Sequence, residues 1–434
     1  MNADVELPDR VQQNYRPAGG VSLSSPIGIM GRIYNRFGMG DGTAAPSQED
    51  DNQAGEHADI VDIGIGSYLT IDPGVLQAMT DGMAIGGTHY SRLPTVNPIT
   101  EAVARKYLEE QGVELDPQRQ IHLMGGARVG MTLAILRVLN PGDRVIIPDP
   151  DYVGLAHVAR GLGAEIVRVP MHRSTTGQFS VDIDAITRTI EQGCRIVMIT
   201  NPNNPTGHAW SHEELAAIAR SVAKVGGVII ANEVYDELLF DDNSHCSALN
   251  FLDTANVIVI SGTGKAYDMT GIPLGWVAGS ADMIRPMPDI AFMYHLPLPS
   301  APALHAGLAA LTEPVRSAHP KRGAAILKEN LKRSAAVFAK EPRFLFPSVD
   351  GGQFAFPWLG LDDIAFCVDL KRIAGVSLMP GSAWGEMGRG HVRLALANKP
   401  EIQIEGLARL ERGLAKMNLG RYQPIPIQSV PTNG

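Results

Sequence analysis

Between residues 75 and 310, short runs of β-branched apolar residues alternate with turns and with helix-like stretches. The runs are Val145-Ile146-Ile147, Ile196-Val197-Met198-Ile199, Val228-Ile229-Ile230 and Val257-Ile258-Val259-Ile260. Apolarity that is continuous rather than alternating predicts strands of a parallel sheet covered on both faces. Ser211-His212-Glu213-Glu214, ahead of LAAIARSVAKV, is a capping box and predicts a helix between two of these strands. Residues 75–310 therefore read as one large α/β domain. Residues 311–421 read as a smaller α+β domain, with a long helical pattern (GAAILKENLKRSAAVFAKE) followed by FAFPW and HVRLALA runs. Residues 1–74 are expected to form an N-terminal arm and part of that smaller domain. Within the arm, the Gly-rich acidic stretch 38–59 cannot bury enough apolar surface to offset ordering and is expected to be a flexible loop. Residues 422–434 are Pro-punctuated and are expected to be a loose tail.

Composition narrows the function. Of 434 residues, 44% are hydrophobic and 19% charged, ample for a large core. Lys plus Arg is 37 against 46 for Asp plus Glu, a net charge of −9 with no basic block, so nucleic acid and membrane are not expected partners. Three cysteines, Cys194, Cys246 and Cys367, are widely spaced and form no CxxC pair. That excludes a disulfide scaffold and a cysteine-rich zinc module, and no metal is expected. The opening MNADVELPDR has no basic stretch followed by an apolar one, and no apolar run reaches about 18 residues, so a cytoplasmic enzyme is expected.

In open α/β sheets ligands sit at the carboxyl ends of strands. After Ile199 comes Thr200-Asn201-Pro202-Asn203-Asn204-Pro205-Thr206-Gly207. After Ile230 comes Ala231-Asn232-Glu233-Val234-Tyr235, and after Ile260 comes Ser261-Gly262-Thr263-Gly264-Lys265. Consecutive strand ends thus present amides, a phenol and a lysine, and a lysine in a Gly-rich turn at a buried strand end suits Schiff-base chemistry. Earlier, Gly125-Gly126-Ala127-Arg128 opens a helix, whose free N–H groups and dipole attract an anion. An aldehyde-bearing phosphorylated cofactor would use all of these together.

From GGAR, PDPDY, NPNNPTG, NEVYDELLF, GTGKAYDMTGIPLG, PGSAWGE and HVRLALA, the chain resembles the class I/II aminotransferase family over roughly residues 60–415. The resemblance implies the fold-type I architecture of pyridoxal 5′-phosphate (PLP) enzymes, a mostly parallel seven-stranded sheet between helices plus a smaller domain. It implies an enzyme that handles an L-amino acid through an external aldimine and a Cα carbanion, transamination giving a 2-oxo acid. Elimination, replacement or cyclisation on a specialised substrate such as S-adenosylmethionine is the alternative. By the same resemblance Lys265 is the catalytic lysine. Gly126, Ala127 and Arg128 cradle the phosphate, and Tyr152 stacks on the cofactor ring. Asn204 and Tyr235 bond its 3′ oxygen, and Asn232 lies at the pyridine nitrogen. Ser261 and Thr263 are further cofactor contacts, and Tyr90 reaches the neighbouring subunit's phosphate in a homodimer. Arg393 takes the substrate carboxylate, with Gly66 close to it and Tyr68 and Trp384 as pocket walls.

Three positions depart from the family pattern. Asn232 stands where the family has an aspartate, and a neutral amide supplies no charge to keep the pyridine nitrogen protonated. Pro273, in Gly271-Ile272-Pro273-Leu274-Gly275, replaces a phosphate-binding arginine, and Gly262 and Gly264 stand where serines usually do. Arg128 is expected to restore the missing cation.

Overall fold

The computed structural model describes residues 60–66, 70–86, 93–241 and 244–426. Each apolar run forms a strand of one sheet. Its seven strands are β1 (Ile121–Met124), β2 (Arg144–Asp149), β3 (Glu165–Pro170), β4 (Ile196–Thr200), β5 (Val228–Asn232), β6 (Asn256–Gly262) and β7 (Gly275–Gly279). Their spatial order is β1-β7-β6-β5-β4-β2-β3. β2 to β6 pair in parallel with their neighbours, whereas β7 runs antiparallel to both β1 and β6. Alternate residues of a strand enter two separate cores. Ile146, Val197, Ile199, Ile229 and Val257 join one. Ile147, Met198, Ile230, Ile258 and Ile260 join the other, with residues of the helices Ala127–Val138 and Val153–Gly161. Burial on both sides is why these runs show no polar alternation.

The capping box forms as the pattern predicts: Glu214 N–H donates to Ser211 Oγ at 3.2 Å and Ser211 N–H to Glu214 Oε2 at 2.7 Å, opening the helix His212–Lys224. The long C-terminal helix starts at Val315 rather than at Gly323 and runs to Phe338, passing through Pro320. Proline has no N–H for the carbonyl four residues back. That carbonyl, of Arg316, has the Tyr267 hydroxyl 3.4 Å away. Beyond it, Phe354–Ala355, Val392–Ala395 and Met379–Pro380 form a three-stranded antiparallel sheet, and Val61–Asp62 pairs in parallel with Val376–Ser377.

The tail expected to be loose from Tyr422 is docked at its start. Ile425 N–H donates to Gly360 O at 2.9 Å, Asp362 N–H to Gln423 O at 3.0 Å, and the Tyr422 ring is buried against Phe366. Proline punctuation rules out a helix there but leaves carbonyls free to pair. The 38–59 loop lies outside the described residues. Among the described residues no helix is long and apolar enough to cross a membrane.

Candidate active site

Parallel register sets the loops side by side. Thr200 is opposite Asn232, and Asn232 opposite Ile260, so β4, β5 and β6 end at nearly one level. In the loop after β4, Asn203 Oδ1 accepts from Thr206 N–H at 3.2 Å and from Thr206 Oγ1 at 2.7 Å. Asn201 Oδ1 accepts from Trp210 N–H at 3.1 Å. These two asparagines shape the loop, and the third, Asn204, faces the loop after β5. Its Nδ2 donates to the Tyr235 hydroxyl at 3.3 Å, and its Oδ1 accepts from Arg393 Nη1 at 3.4 Å.

Arg393, on the strand Val392–Ala395, is buried, and its Nη2 donates to Gly64 O at 2.9 Å. Its guanidinium carbon lies 3.9 Å from the Phe354 ring centroid and 4.3 Å from that of Trp384. Flanking rings fix the guanidinium plane, so hydrogen bonding runs along its edge, the geometry that meets a carboxylate with two prongs. A Cβ on Gly64 would come within 2.8 Å of Met379 N, so only glycine lets that carbonyl approach. A Cβ on Gly66 would stand 3.2 Å from Ala397 Cβ, which places this backbone against the residues just after Arg393.

The second group lines a cavity of about 850 Å³ that includes Lys265, Tyr152, Gly126, Ala127 and Arg128. Gly126 has a φ of 101°, and the helix it opens has no side-chain cap. The N–H groups of its first turn are therefore offered to an anion. β7 holds this turn from behind, since a Cβ on Gly275 would come within 2.4 Å of Ala127 N. Pro273 packs against the turn, 3.2 Å from where a Gly126 Cβ would be, and the exposed Arg128 lines the same cavity. The Tyr152 ring lies over Gly154, where a Cβ would approach Cε1 to 2.5 Å. Val234 joins the two groups: it lines the cavity, and its neighbour Tyr235 bonds Asn204.

Some expected residues sit differently. Ser261 Oγ donates to Glu233 O at 3.3 Å and Thr263 Oγ1 to Leu274 O at 3.4 Å, whereas Gly262 and Gly264 line the cavity. Side chains alternate along an extended chain, so a shift of one residue turns the hydroxyls away. Asn232 is buried at the end of β5, its carbonyl accepting from Asn201 N–H at 2.9 Å. Its neighbour Glu233 is engaged on the far side of the loop. Glu233 accepts from Ser247 Oγ at 2.7 Å and Ala248 N–H at 2.8 Å, with His245 Nε2 at 3.1 Å. Tyr68 and Tyr90 lie outside the described residues.

Other residues enter the site without having been singled out. Phe354 against Arg393 was visible only as one letter of the FAFPW run. Asp151, in PDPDY, is fully buried and accepts from Tyr152 N–H and, at 3.1 Å, from Thr200 N–H. Burial pushes its carboxyl up to about 7 against those bonds. His157 lines the cavity one turn beyond Val153, and burial, with Arg160 and Arg168 nearby, pushes its imidazole down to about 4.

Residues 58–409 match the aminotransferase class I and II family. The chain is 28% identical over 374 residues to an aspartate aminotransferase of Pyrococcus horikoshii, covering 83% of this chain and 92% of that one. It is 29% identical over 368 residues to an arginine–pyruvate transaminase of Pseudomonas aeruginosa, covering 82% and 90%. The fold superposes on the structure of N-succinyldiaminopimelate aminotransferase from Mycobacterium tuberculosis with a TM-score of 0.76 at 29% identity, covering 82% of this chain and 93% of that one.

Proposed function

The chain belongs to the class I and II aminotransferases, PLP-dependent enzymes, and from that premise we propose how its residues divide the work. Bound PLP supplies an aldehyde that takes an amino group and a ring that draws electrons from the Cα bonds. The cavity suits such a group, since an amine, an uncapped helix start and a flat ring share one space lined by glycines. That co-location is the observation that carries the assignment.

In this reading Gly126, Ala127 and Arg128 hold the phosphate, Arg128 contributing the cation that Pro273 no longer can. Tyr152 stacks on the ring, and Asn204 with Tyr235 meets its 3′ oxygen. Arg393 binds the α-carboxylate of an L-amino acid along the guanidinium edge, beside Gly66 and Trp384. With PLP bound, Lys265 Nζ would be the base that takes the proton from Cα and delivers it to the cofactor side, the amino group staying with the cofactor while water releases the carbon skeleton as a 2-oxo acid. Asn232 offers the ring nitrogen no negative charge, so the proton transfers run without the help a carboxylate would give.

A homodimer belongs to the same reading. Phe292, Met293, Tyr294 and Leu298 are exposed, and the carbonyl of Pro297 among them accepts from Gly125 N–H at 3.0 Å. A second copy covering this apolar stretch would abut the anion-binding turn, where Tyr90 of that copy is proposed to reach. Light scattering showing a monomer at micromolar concentration would remove this part.

Lys265 is tested by adding PLP, reducing with borohydride and mapping peptides by mass spectrometry. The cofactor should be fixed to Lys265, and the Lys265→Ala variant should retain none. Label on another lysine, with Lys265 unmodified, would overturn the assignment.

A further inference from the structure

Beneath the site, one buried cation holds the two loops that carry Tyr235 and Lys265. Lys106, on the helix Leu93–Gln111, is 1% exposed. Its Nζ lies 2.9 Å from Asp236 Oδ2, 2.5 Å from Glu110 Oε2 and 3.7 Å from Glu237 Oε2. Asp236 and Glu237 directly follow Tyr235. The other oxygen of Glu237 accepts from the Tyr267 hydroxyl at 2.7 Å, and Tyr267 is two residues beyond Lys265.

The Lys265 loop is pinned a second time. Asp268 has a φ of 56°, in the left-handed region that aspartate tolerates better than most side chains. His319 Nε2 meets Asp268 Oδ2 at 3.0 Å, and the His319 ring stacks on Tyr267 with centroids 6.2 Å apart. At the outer end Arg316 Nη1 reaches Glu110 Oε1 at 3.3 Å, so charges of both signs run from the surface to the loop.

Burial disfavours the Lys106 ammonium, but Asp236, Glu237 and Glu110 outweigh that and hold it well above its ordinary range. Burial raises the Glu237 carboxyl against the pull of Lys106. Such an assembly is a poor way to gain stability, because desolvating the charges consumes most of what their attraction returns. What it does supply is direction: Lys106 ties to Asp236 and Glu237 of one loop, and Glu237 ties on to Tyr267 of the other.

We propose that the Lys106–Glu237–Tyr267 chain positions Lys265, locking the turn that presents its amine in register with Tyr235 and, through Asn204, with Arg393. The inference rests on Lys265 being the reacting amine. A bridge that only stabilised the core would change the unfolding temperature and leave the chemistry of Lys265 alone.

Tyr267→Phe keeps the ring and removes the hydroxyl, and Glu237→Gln keeps the shape and removes the charge. Each is compared with the parent by thermal midpoint, by kcat and KM of the holoenzyme, and by the acetylation rate of Lys265 in the full cofactor-free chain, read lysine by lysine with acetic anhydride and mass spectrometry. The positioning role predicts folded variants with kcat about tenfold lower, KM within about twofold, and Lys265 acetylated at least about threefold faster while Lys328 is unchanged. Folded variants with parental kcat and parental Lys265 acetylation overturn it. Should Glu237→Gln not fold, Lys106→Arg, which keeps the charge and alters its reach, is judged by the same criteria. Borohydride labelling of the parent reads the site assignment separately, since acetylation of Lys265 does not require bound cofactor.

Discussion

At the scale of single residues, Arg128 and Asn232 carry the sharpest expectations. Arg128 shares the cavity with Pro273 and sits on an uncapped helix start. Arg128→Ala should weaken PLP retention about tenfold, the low end for a charge-assisted bond at an exposed position. An unchanged dissociation constant would place the compensating cation elsewhere. Asn232 is buried, and Glu233 beside it is committed to Ser247 and Ala248. Asn232→Asp should therefore raise the rate of amino-group transfer by about tenfold or more, the scale of one well-placed electrostatic contact. A slower variant would mean that the amide is tuned to the reaction rather than tolerated by it. Strand-end loops were legible because their residues are neighbours in the chain: PDPDY, NPNNPTG and GTGKAY each bring several groups to one place. The Arg393 contacts with Gly64 and Phe354 were not, since no local spacing joins residues so far apart. Lys106 and Glu110 at i and i+4 look like any solvated helical pair, yet Lys106 is buried.

At the scale of elements, the turn at Gly126 owes its place to glycines on both partners. Gly275→Ala would bring a Cβ within 2.4 Å of Ala127 N and 2.5 Å of the Gly126 carbonyl carbon, both backbone atoms that cannot swing aside. Overpacking of this kind should cost about 1–3 kcal/mol and weaken PLP binding as the turn shifts. Ser211→Ala makes a useful contrast, because it removes a cap on a helix far along the chain from that turn. It should cost about 1 kcal/mol and leave PLP binding alone. Thermal unfolding with and without PLP separates the two, and parental cofactor affinity in Gly275→Ala would contradict the account of the turn. The strands were legible from apolar runs because both faces are buried. The start of the helix Val315–Phe338 was not, because Pro320 reads as a breaker, yet the helix passes through it. Likewise, nothing in a Pro-punctuated sequence shows that Gln423 and Ile425 will pair with Asp362 and Gly360.

Across the whole molecule, buried histidines contribute to the acid limb of stability. Burial, with Arg173 nearby, pushes His391 down to about 3, and burial pushes His122 down to about 4. The folded rings stay neutral where the unfolded chain takes up protons below about 6.5. Their contribution is therefore complete above about pH 6.5 and is lost as pH falls toward the folded values. Asp151, raised to about 7, acts in the opposite sense and costs stability as pH climbs from about 4 toward 7. His391 stacks on Phe356 with centroids 4.8 Å apart and 5° between planes, so His391→Phe keeps a ring in place and removes the proton site. Its melting temperature should vary less between pH 4 and about 6.5 than the parent's; an equal slope would assign the acid limb to other groups. The central claim concerns the assembled site: Lys265 and the phosphate turn on one side, Arg393 and Asn204 on the other, acting on one amino acid. It is tested most directly by loading the protein with PLP, adding single L-amino acids without an acceptor, and following the spectrum with mass spectrometry of the products. The account predicts stoichiometric pyridoxamine phosphate together with the matching 2-oxo acid, and loss of both in Lys265→Ala. Retention of PLP with release of a side-chain fragment would contradict it and make the site one for elimination or replacement.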